Sequence, residues 1–239
     1  MRRLLSDTAD LVLGRHCLGC DALGPGLCPA CLIALRGQAG AVAVPAVSVA
    51  ATAAVRYDGV ARRAVLEYKE RGHRALARPL GLLLADAVLA HGPPDPGPAK
   101  GPVWLVPVPG HRRSSRGFDA LGAIAARAAE SLVGTGHDAH VARLLRSGHY
   151  APLKQLGRAE RLNQVRGAFR ATRTRVPRPE GRIIVVDDVV TSGATLAEAV
   201  RVLLHAGIRI DGAATIAATG ASPGRPATSR GPAPPTDRR

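Results

Sequence analysis

The chain has few aromatic residues and no long hydrophobic run. Phe, Trp and Tyr make up 3% of its 239 residues, against 46% hydrophobic residues in all, so any core is built mainly from alanine, valine and leucine. The longest apolar stretches fall well short of the roughly 20 residues that cross a bilayer, which predicts no membrane insertion. The first residues resemble a signal peptide, but Asp7 and Asp10 interrupt the apolar region, so a cytoplasmic protein is expected.

Lysine is also scarce: of the 33 lysine and arginine residues, only Lys69, Lys100 and Lys154 are lysine. None of them belongs to a Gly-x-x-x-x-Gly-Lys-Ser/Thr sequence, which argues against a P-loop nucleotidase. The formal net charge of +15 predicts anionic partners such as phosphates or nucleic acid. A bias of the gene toward arginine and alanine codons is an alternative source of this charge. The shortage of stacking aromatics counts against single-stranded nucleic acid as the main ligand.

Strand and helix patterns alternate along the chain. Strands are predicted over residues 48–56, 103–108, 139–145, 181–186 and 208–218, and helices over residues 59–70, 76–90, 120–132 and 195–206. This alternation predicts an α/β fold with a parallel sheet and flanking helices. The C-terminal residues 220–239 are rich in proline, glycine, serine, threonine and arginine, which predicts a disordered tail.

The most informative segment is a loop that follows the predicted strand 181–186. It consists of Asp187, Asp188, Val189, Val190, Thr191, Ser192, Gly193, Ala194 and Thr195. Ligands of parallel sheets bind at the carboxyl ends of strands, and the free amides of a helix N-terminus favour phosphate. Two carboxylates beside a phosphate need hydrogen-bond donors or a cation, and ribose hydroxyls and Mg²⁺ both meet that need. The loop therefore predicts a sugar-phosphate site; the alternative is an ordinary capped turn with solvated aspartates.

This loop resembles the 5-phosphoribosyl 1-diphosphate (PRPP) motif of type I phosphoribosyltransferases. The resemblance implies a phosphoribosyltransferase-like fold in which Asp187 and Asp188 are the catalytic acids that hold the ribose hydroxyls. It also implies that residues 191–195 bind the 5′ phosphate and that Mg²⁺ accompanies PRPP.

A second loop, after the predicted strand 103–108, carries Arg112, Arg113 and Arg116. Arginine binds phosphate oxygens in a bidentate manner, so these three side chains are candidates for neutralising a diphosphate. The alternative is a solvated basic turn.

Taken together, four segments are similar to those of the ComF competence-protein family, over roughly residues 17 to 219. The segments are Tyr57-Asp58-Gly59 with Glu67-Tyr68-Lys69; Pro107-Val108-Pro109 with Arg112, Arg113 and Arg116-Gly117-Phe118; Gln155 with Arg161, Asn163 and Phe169; and the PRPP motif. The resemblance implies that Lys69 joins the arginines at the diphosphate and that the third segment closes over it. The chain departs from the family at Asp119-Ala120, where the family usually has Asn-Gln.

All four cysteines lie near the N-terminus, as two Cys-x-x-Cys pairs: Cys17, Cys20, Cys28 and Cys31. Four soft ligands with this spacing favour tetrahedral Zn²⁺ in a structural site without an open position. Redox-active pairs and unliganded thiols are the alternatives. The ComF family similarly carries an N-terminal module that resembles a zinc ribbon.

These features predict a cysteine zinc-binding module over residues 1–36 and a phosphoribosyltransferase-like domain over residues 37–219. Within that domain, residues 37–75 are the candidate hood, the part that shapes the acceptor pocket. Two functions follow. The chain transfers phosphoribose from PRPP to an unknown acceptor, or it is a non-catalytic PRPP sensor or single-stranded-DNA-binding accessory protein in DNA uptake. The second rests on the family resemblance, which implies competence-machinery proteins as partners.

Overall fold

A computed structural model describes residues 16–92, 101–110, 119–148, 165–172 and 181–220. In chain order its elements are α1 (Pro29–Leu35), β1 (Gly40–Val42), β2 (Ala51–Arg56), α2 (Gly59–Glu70), a 3₁₀ turn (Arg74–Leu76), α3 (Ala77–Ala90), β3 (Val103–Pro107), α4 (Ala120–Gly134), β4 (Ala139–Val141), β5 (Leu145–Ser147), β6 (Phe169–Ala171), β7 (Arg182–Val190), α5 (Ala194–His205) and β8 (Gly212–Ala218). The described helices are all too short or too polar to cross a membrane.

The central sheet has six strands in the order β1-β2-β8-β7-β3-β4. Strand β1 is antiparallel to β2, and every other neighbouring pair is parallel. Strands β5 and β6 form a separate antiparallel pair. The carboxyl ends of β2, β8, β7 and β3 therefore meet at one edge of the central sheet.

Helices cover both faces of the sheet because its strands are apolar on both sides. Ile184 and Val186 of β7 belong to the apolar cluster that includes the buried leucines of α3 and Leu132 of α4. Ile183 and Val185 belong to the cluster that includes Leu196 and other buried residues of α5. Successive strand side chains point to opposite faces, so the continuous apolar run of β7 is what a sheet covered on both faces requires.

The predicted class, an α/β fold with a mostly parallel sheet and flanking helices, is confirmed. The predicted strand 181–186 was too short, because β7 continues to Val190 through the two aspartates. That extension is held by pairing with β8, where Asp187 lies opposite Thr215 and Val190 opposite Ala218. The predicted strand 139–145 instead covers the whole of β4, a three-residue gap and the first residue of β5.

Several predicted features fall outside the described residues. They are Arg112, Arg113 and Arg116; Gln155, Arg161 and Asn163; the first 15 residues; and nearly all of the predicted tail. Within the candidate hood of residues 37–75, the segment Ala51–Arg56 forms β2, which lies inside the central sheet.

Candidate functional site

The two aspartates of the predicted loop lie near the end of β7. Each carboxylate accepts a hydrogen bond from the next amide along the chain: Asp188 N–H donates to Asp187 Oδ1 at 2.9 Å, and Val189 N–H donates to Asp188 Oδ1 at 2.7 Å. These bonds fix the orientation of both side chains at the edge where the parallel strands end.

The neighbouring strands reach this edge together. Tyr57 N–H donates to Ala218 O at 2.8 Å just beyond β2, and Val108 N–H donates to Val186 O at 3.0 Å just beyond β3. The segment that leads toward the predicted arginines therefore leaves β3 directly beside β7. The structure describes this segment as far as Gly110, whose carbonyl accepts from Ser147 Oγ at 3.0 Å.

A short turn joins β7 to α5. Thr191 is exposed and Ser192 is partly exposed, whereas Gly193 is buried. Gly193 is the N-cap of α5 and has a φ of 77°, a left-handed conformation that glycine adopts far more readily than other residues. Gly193 has no side chain to cap the helix, and the Ala194 amide donates to Ser192 Oγ at 3.5 Å. Amides at a helix N-terminus are suited to binding an anion.

Lys69, which the family resemblance places at a diphosphate, contacts one of the aspartates. Its Nζ lies 2.5 Å from Asp188 Oδ2. Lys69 is in the last turn of α2, and this helix packs on the same face of the sheet as Ile184 and Val186. Asp188 is two residues beyond Val186 in the strand, so its side chain is expected on that face as well.

Burial and charge perturb the titration of the site. Burial, followed by the negative charge of Asp188, raises the pKa of Asp187 to about 8. Burial alone would lower the pKa of Lys69. Three effects outweigh burial and raise the pKa: the charge of Asp188, the hydrogen bond from Lys69 to Asp188, and the charge of Asp187. Lys69 therefore stays protonated and partly neutralises the carboxylate pair.

Two side chains near the site were not singled out in the sequence. Val44 packs against the turn at Gly193: a Cβ on Gly193 would lie 2.3 Å from Val44 Cγ1. Glu198 of α5 is 5% exposed and accepts from Gly167 N–H at 2.7 Å, while Arg201 pairs with both of its carboxylate oxygens. A lone glutamate on the apolar face of α5 was a visible signal, whereas nothing in the sequence pointed to Val44.

The structure gives a local role to Asp119, which differs from the residue usual at this position in the family that the chain resembles. Asp119 is the N-cap of α4, and its side chain accepts from Gly122 N–H at 2.9 Å. It also pairs with Arg143. An aspartate performs this capping as well as an asparagine does.

The four cysteines lie together as a possible metal site. Their sulfur atoms are all within 4.8 Å of one another, and the Sγ atoms of Cys20 and Cys28 are 3.6 Å apart. A tetrahedron with metal–sulfur bonds of about 2.3 Å has sulfur atoms about 3.8 Å apart, so this spacing fits Zn²⁺. The arrangement confirms the predicted grouping of the cysteines.

Backbone amides also favour a thiolate in this cluster. Cys28 N–H and Gly19 N–H approach Cys17 Sγ at 3.3 and 3.4 Å. Burial alone would raise the pKa of Cys17, but the hydrogen bonds from the amides of Cys28, Cys20 and Gly19 lower it to about 6. Thiolates are the form of cysteine that binds a metal.

An open depression of about 450 Å³ lies between α1 and α3. It is lined by Ile33, Arg36, Gly37, Ala39, Asp86 and Leu89. Its two charged lining residues, Arg36 and Asp86, are hydrogen-bonded to each other, and the other lining residues are apolar or glycine, so the carboxyl edge of the sheet is the stronger candidate for chemistry.

The chain matches none of the protein-family models and none of the curated proteins with which it was compared. What the site can do therefore follows from its own residues and their arrangement.

Proposed function

We propose that the chain binds PRPP and transfers its phosphoribosyl group to an acceptor, with release of diphosphate. The observation that carries this proposal is the position of Asp187 and Asp188 near the end of β7, two residues before the turn that opens α5. Two adjacent carboxylates and a row of helix amides, held at the carboxyl edge of a parallel sheet, complement a ribose diol with a phosphate attached.

Each group has a separate task in this reaction. The carboxylates of Asp187 and Asp188 accept hydrogen bonds from the two ribose hydroxyls, and the amides of residues 191–195 hold the 5′ phosphate. The bond from ribose C1 to the diphosphate oxygen breaks, and its electron pair leaves with diphosphate. The acceptor forms the new bond to C1 and releases its proton. The chain contributes by positioning the reactants and stabilising charge.

The diphosphate requires positive charge nearby. Lys69 lies at the site, and the segment that carries Arg112, Arg113 and Arg116 begins beside β7. We assign these four side chains to the leaving diphosphate. Mg²⁺ enters as part of the substrate, bound to the phosphate oxygens of PRPP.

We also propose that the cysteine cluster holds a structural Zn²⁺. Cys17, Cys20, Cys28 and Cys31 supply four sulfur ligands, which fills a tetrahedral site and leaves no position for a substrate. The spacing of the sulfur atoms and the amide hydrogen bonds to Cys17 support this assignment.

Calorimetric titration of the zinc-replete protein with PRPP and Mg²⁺ tests the main proposal. We expect micromolar, Mg²⁺-dependent binding for the wild type and its loss in the double variant Asp187→Asn/Asp188→Asn. The matched control is Asp138→Asn, which removes an exposed carboxylate beside β4, away from the site. Retained affinity in the double variant would show that the aspartates do not hold the ribose.

Release of diphosphate then distinguishes a transferase from a sensor. Turnover with one of a panel of bases and amines is the expected result for an enzyme. Tight binding without diphosphate release from any acceptor would instead support the non-catalytic reading.

A further inference from the structure

In this structure, both oxygens of Asp188 already have partners. Oδ1 accepts from Val189 N–H at 2.7 Å, and Oδ2 lies 2.5 Å from Lys69 Nζ. The Asp188 side chain is only 14% exposed, so little room is left for a third group. A ribose hydroxyl that donates to Asp188 must therefore compete with the ammonium group of Lys69.

The backbone of Lys69 is firmly placed, whereas its side chain is not enclosed. The preceding residue, Tyr68, is 2% exposed, and its hydroxyl donates to Ala120 O at 2.9 Å. The side chain of Lys69 is 46% exposed, so part of it lies in contact with solvent. Its four-carbon stem can turn to a second anion without any change in α2.

From this geometry we infer that Lys69 exchanges partners when ligand binds. Its ammonium group moves away from Asp188 and pairs with the diphosphate on ribose C1. This inference rests on the proposed function. Displacing Lys69 is unfavourable unless the ligand supplies a new anion for it. Lys69 is thus a specificity-determining residue that favours ribose phosphates with a diphosphate on C1 over those without one.

The test compares two ligands, PRPP with Mg²⁺ and ribose 5-phosphate, in the variant Lys69→Gln. Loss of a charge-assisted hydrogen bond should weaken PRPP binding about 10-fold or more. Ribose 5-phosphate no longer competes with the ammonium group, so the affinity for this ligand should stay unchanged or rise by up to about 5-fold. The dissociation constant of ribose 5-phosphate divided by that of PRPP should therefore shrink by about 10-fold or more.

Two control variants separate this effect from a general loss of positive charge. Arg71→Gln removes a cation two residues away that pairs with Glu67 rather than with the site, and it should leave the ratio unchanged. Lys69→Arg keeps the charge and should retain most of the discrimination. Thermal unfolding of each variant verifies that the fold is intact.

The possible outcomes are distinct. If Lys69→Gln loses the same affinity for both ligands, or none for either, the partner exchange is overturned while PRPP binding stays established. A wild-type protein that binds neither ligand would instead refute the proposed function, and the exchange with it.

Discussion

At the scale of single residues, the titration of the site depends on two acids, Asp187 and Asp188, that are adjacent in β7. Like charges this close disfavour double ionisation, and burial adds to the penalty. Lys69 offsets part of this repulsion at Asp188, whereas the pKa of Asp187 remains raised. In the free protein at neutral pH, the raised pKa of Asp187 favours its protonated form, whereas hydrogen bonds from ribose hydroxyls would favour the carboxylate.

We predict that PRPP binding near pH 7 releases protons from the protein. The carboxylate that accepts hydrogen bonds from the ligand is favoured over the acid, so the pKa of Asp187 falls on binding. At pH 9, above the value of about 8 in the free protein, the group is already ionised and the release should shrink. Titration calorimetry in buffers with different ionisation enthalpies measures the number of protons.

The variant Asp188→Asn serves as a comparison, because it leaves the burial of Asp187 in place but removes the charge that also raises the pKa of Asp187. Any remaining binding to this variant should release fewer protons at pH 7 than the wild type does. Equal release at pH 7 and pH 9 in the wild type would contradict the assignment to Asp187.

At the scale of elements, the turn between β7 and α5 contacts an apolar segment that follows β1, the edge strand of the sheet. Val44 follows β1, and together with Val47 it packs in the same cluster as Leu196 and Val200 of α5. The turn must pass beneath Val44, and this is possible because Gly193 has no Cβ. The conformation of the phosphate turn therefore depends on residues nearly 150 positions earlier in the chain.

Replacing Gly193 with alanine should lower the free energy of unfolding by roughly 1–3 kcal/mol. Part of the loss comes from placing a side chain at a φ of 77°, and part from the contact with Val44. Urea denaturation measures the loss. Gly37→Ala is the matched control, because Gly37 has a φ of 80° with nothing near its Cβ position.

A double variant isolates the contact itself. Val44→Ala makes room for the new methyl group, so Gly193→Ala should be less costly in that background than in the wild type. If Gly193→Ala proves no more destabilising than Gly37→Ala, then Val44 does not constrain the turn.

The sequence was sufficient to predict the long helices and strands, but not the short strands. The bounds predicted for α2 match those observed, because residues 59–70 show a full helical period. Strands β1 and β6 have three residues each, too few for any alternation to be recognised. The extension of β7 through the aspartates was missed because Asp is rare in strands, and it depends on pairing with β8.

The site shows the same division. The acidic pair and the turn were visible as a local pattern, because all their members lie within nine consecutive residues. The contacts of Lys69 with Asp188 and of Val44 with Gly193 join distant parts of the chain. They depend on how α2 and β1 pack onto the sheet, which no local pattern encodes.

At the scale of the whole molecule, the cysteine module packs against the main domain. Cys17 and Leu27 are buried in the same apolar cluster as Leu76. A Cβ on Gly26 would lie 2.8 Å from Leu76 Cδ2, which shows how closely the module approaches the 3₁₀ turn. Arg36 also forms a bidentate pair with Asp86 of α3, with both distances at 2.7 Å.

Removal of zinc should therefore destabilise the whole chain as well as its N-terminal module. A strong chelator should lower the melting temperature of the main transition by roughly 5 °C or more, because the free energy of metal binding adds to that of folding. Differential scanning calorimetry, with zinc content measured in parallel, checks this prediction. The variant with all four cysteines changed to serine provides the control, since chelator should leave its melting curve unchanged. A small separate transition for the module, with the main transition unmoved, would instead mean that the contacts with Leu76 and Asp86 do not couple the two parts.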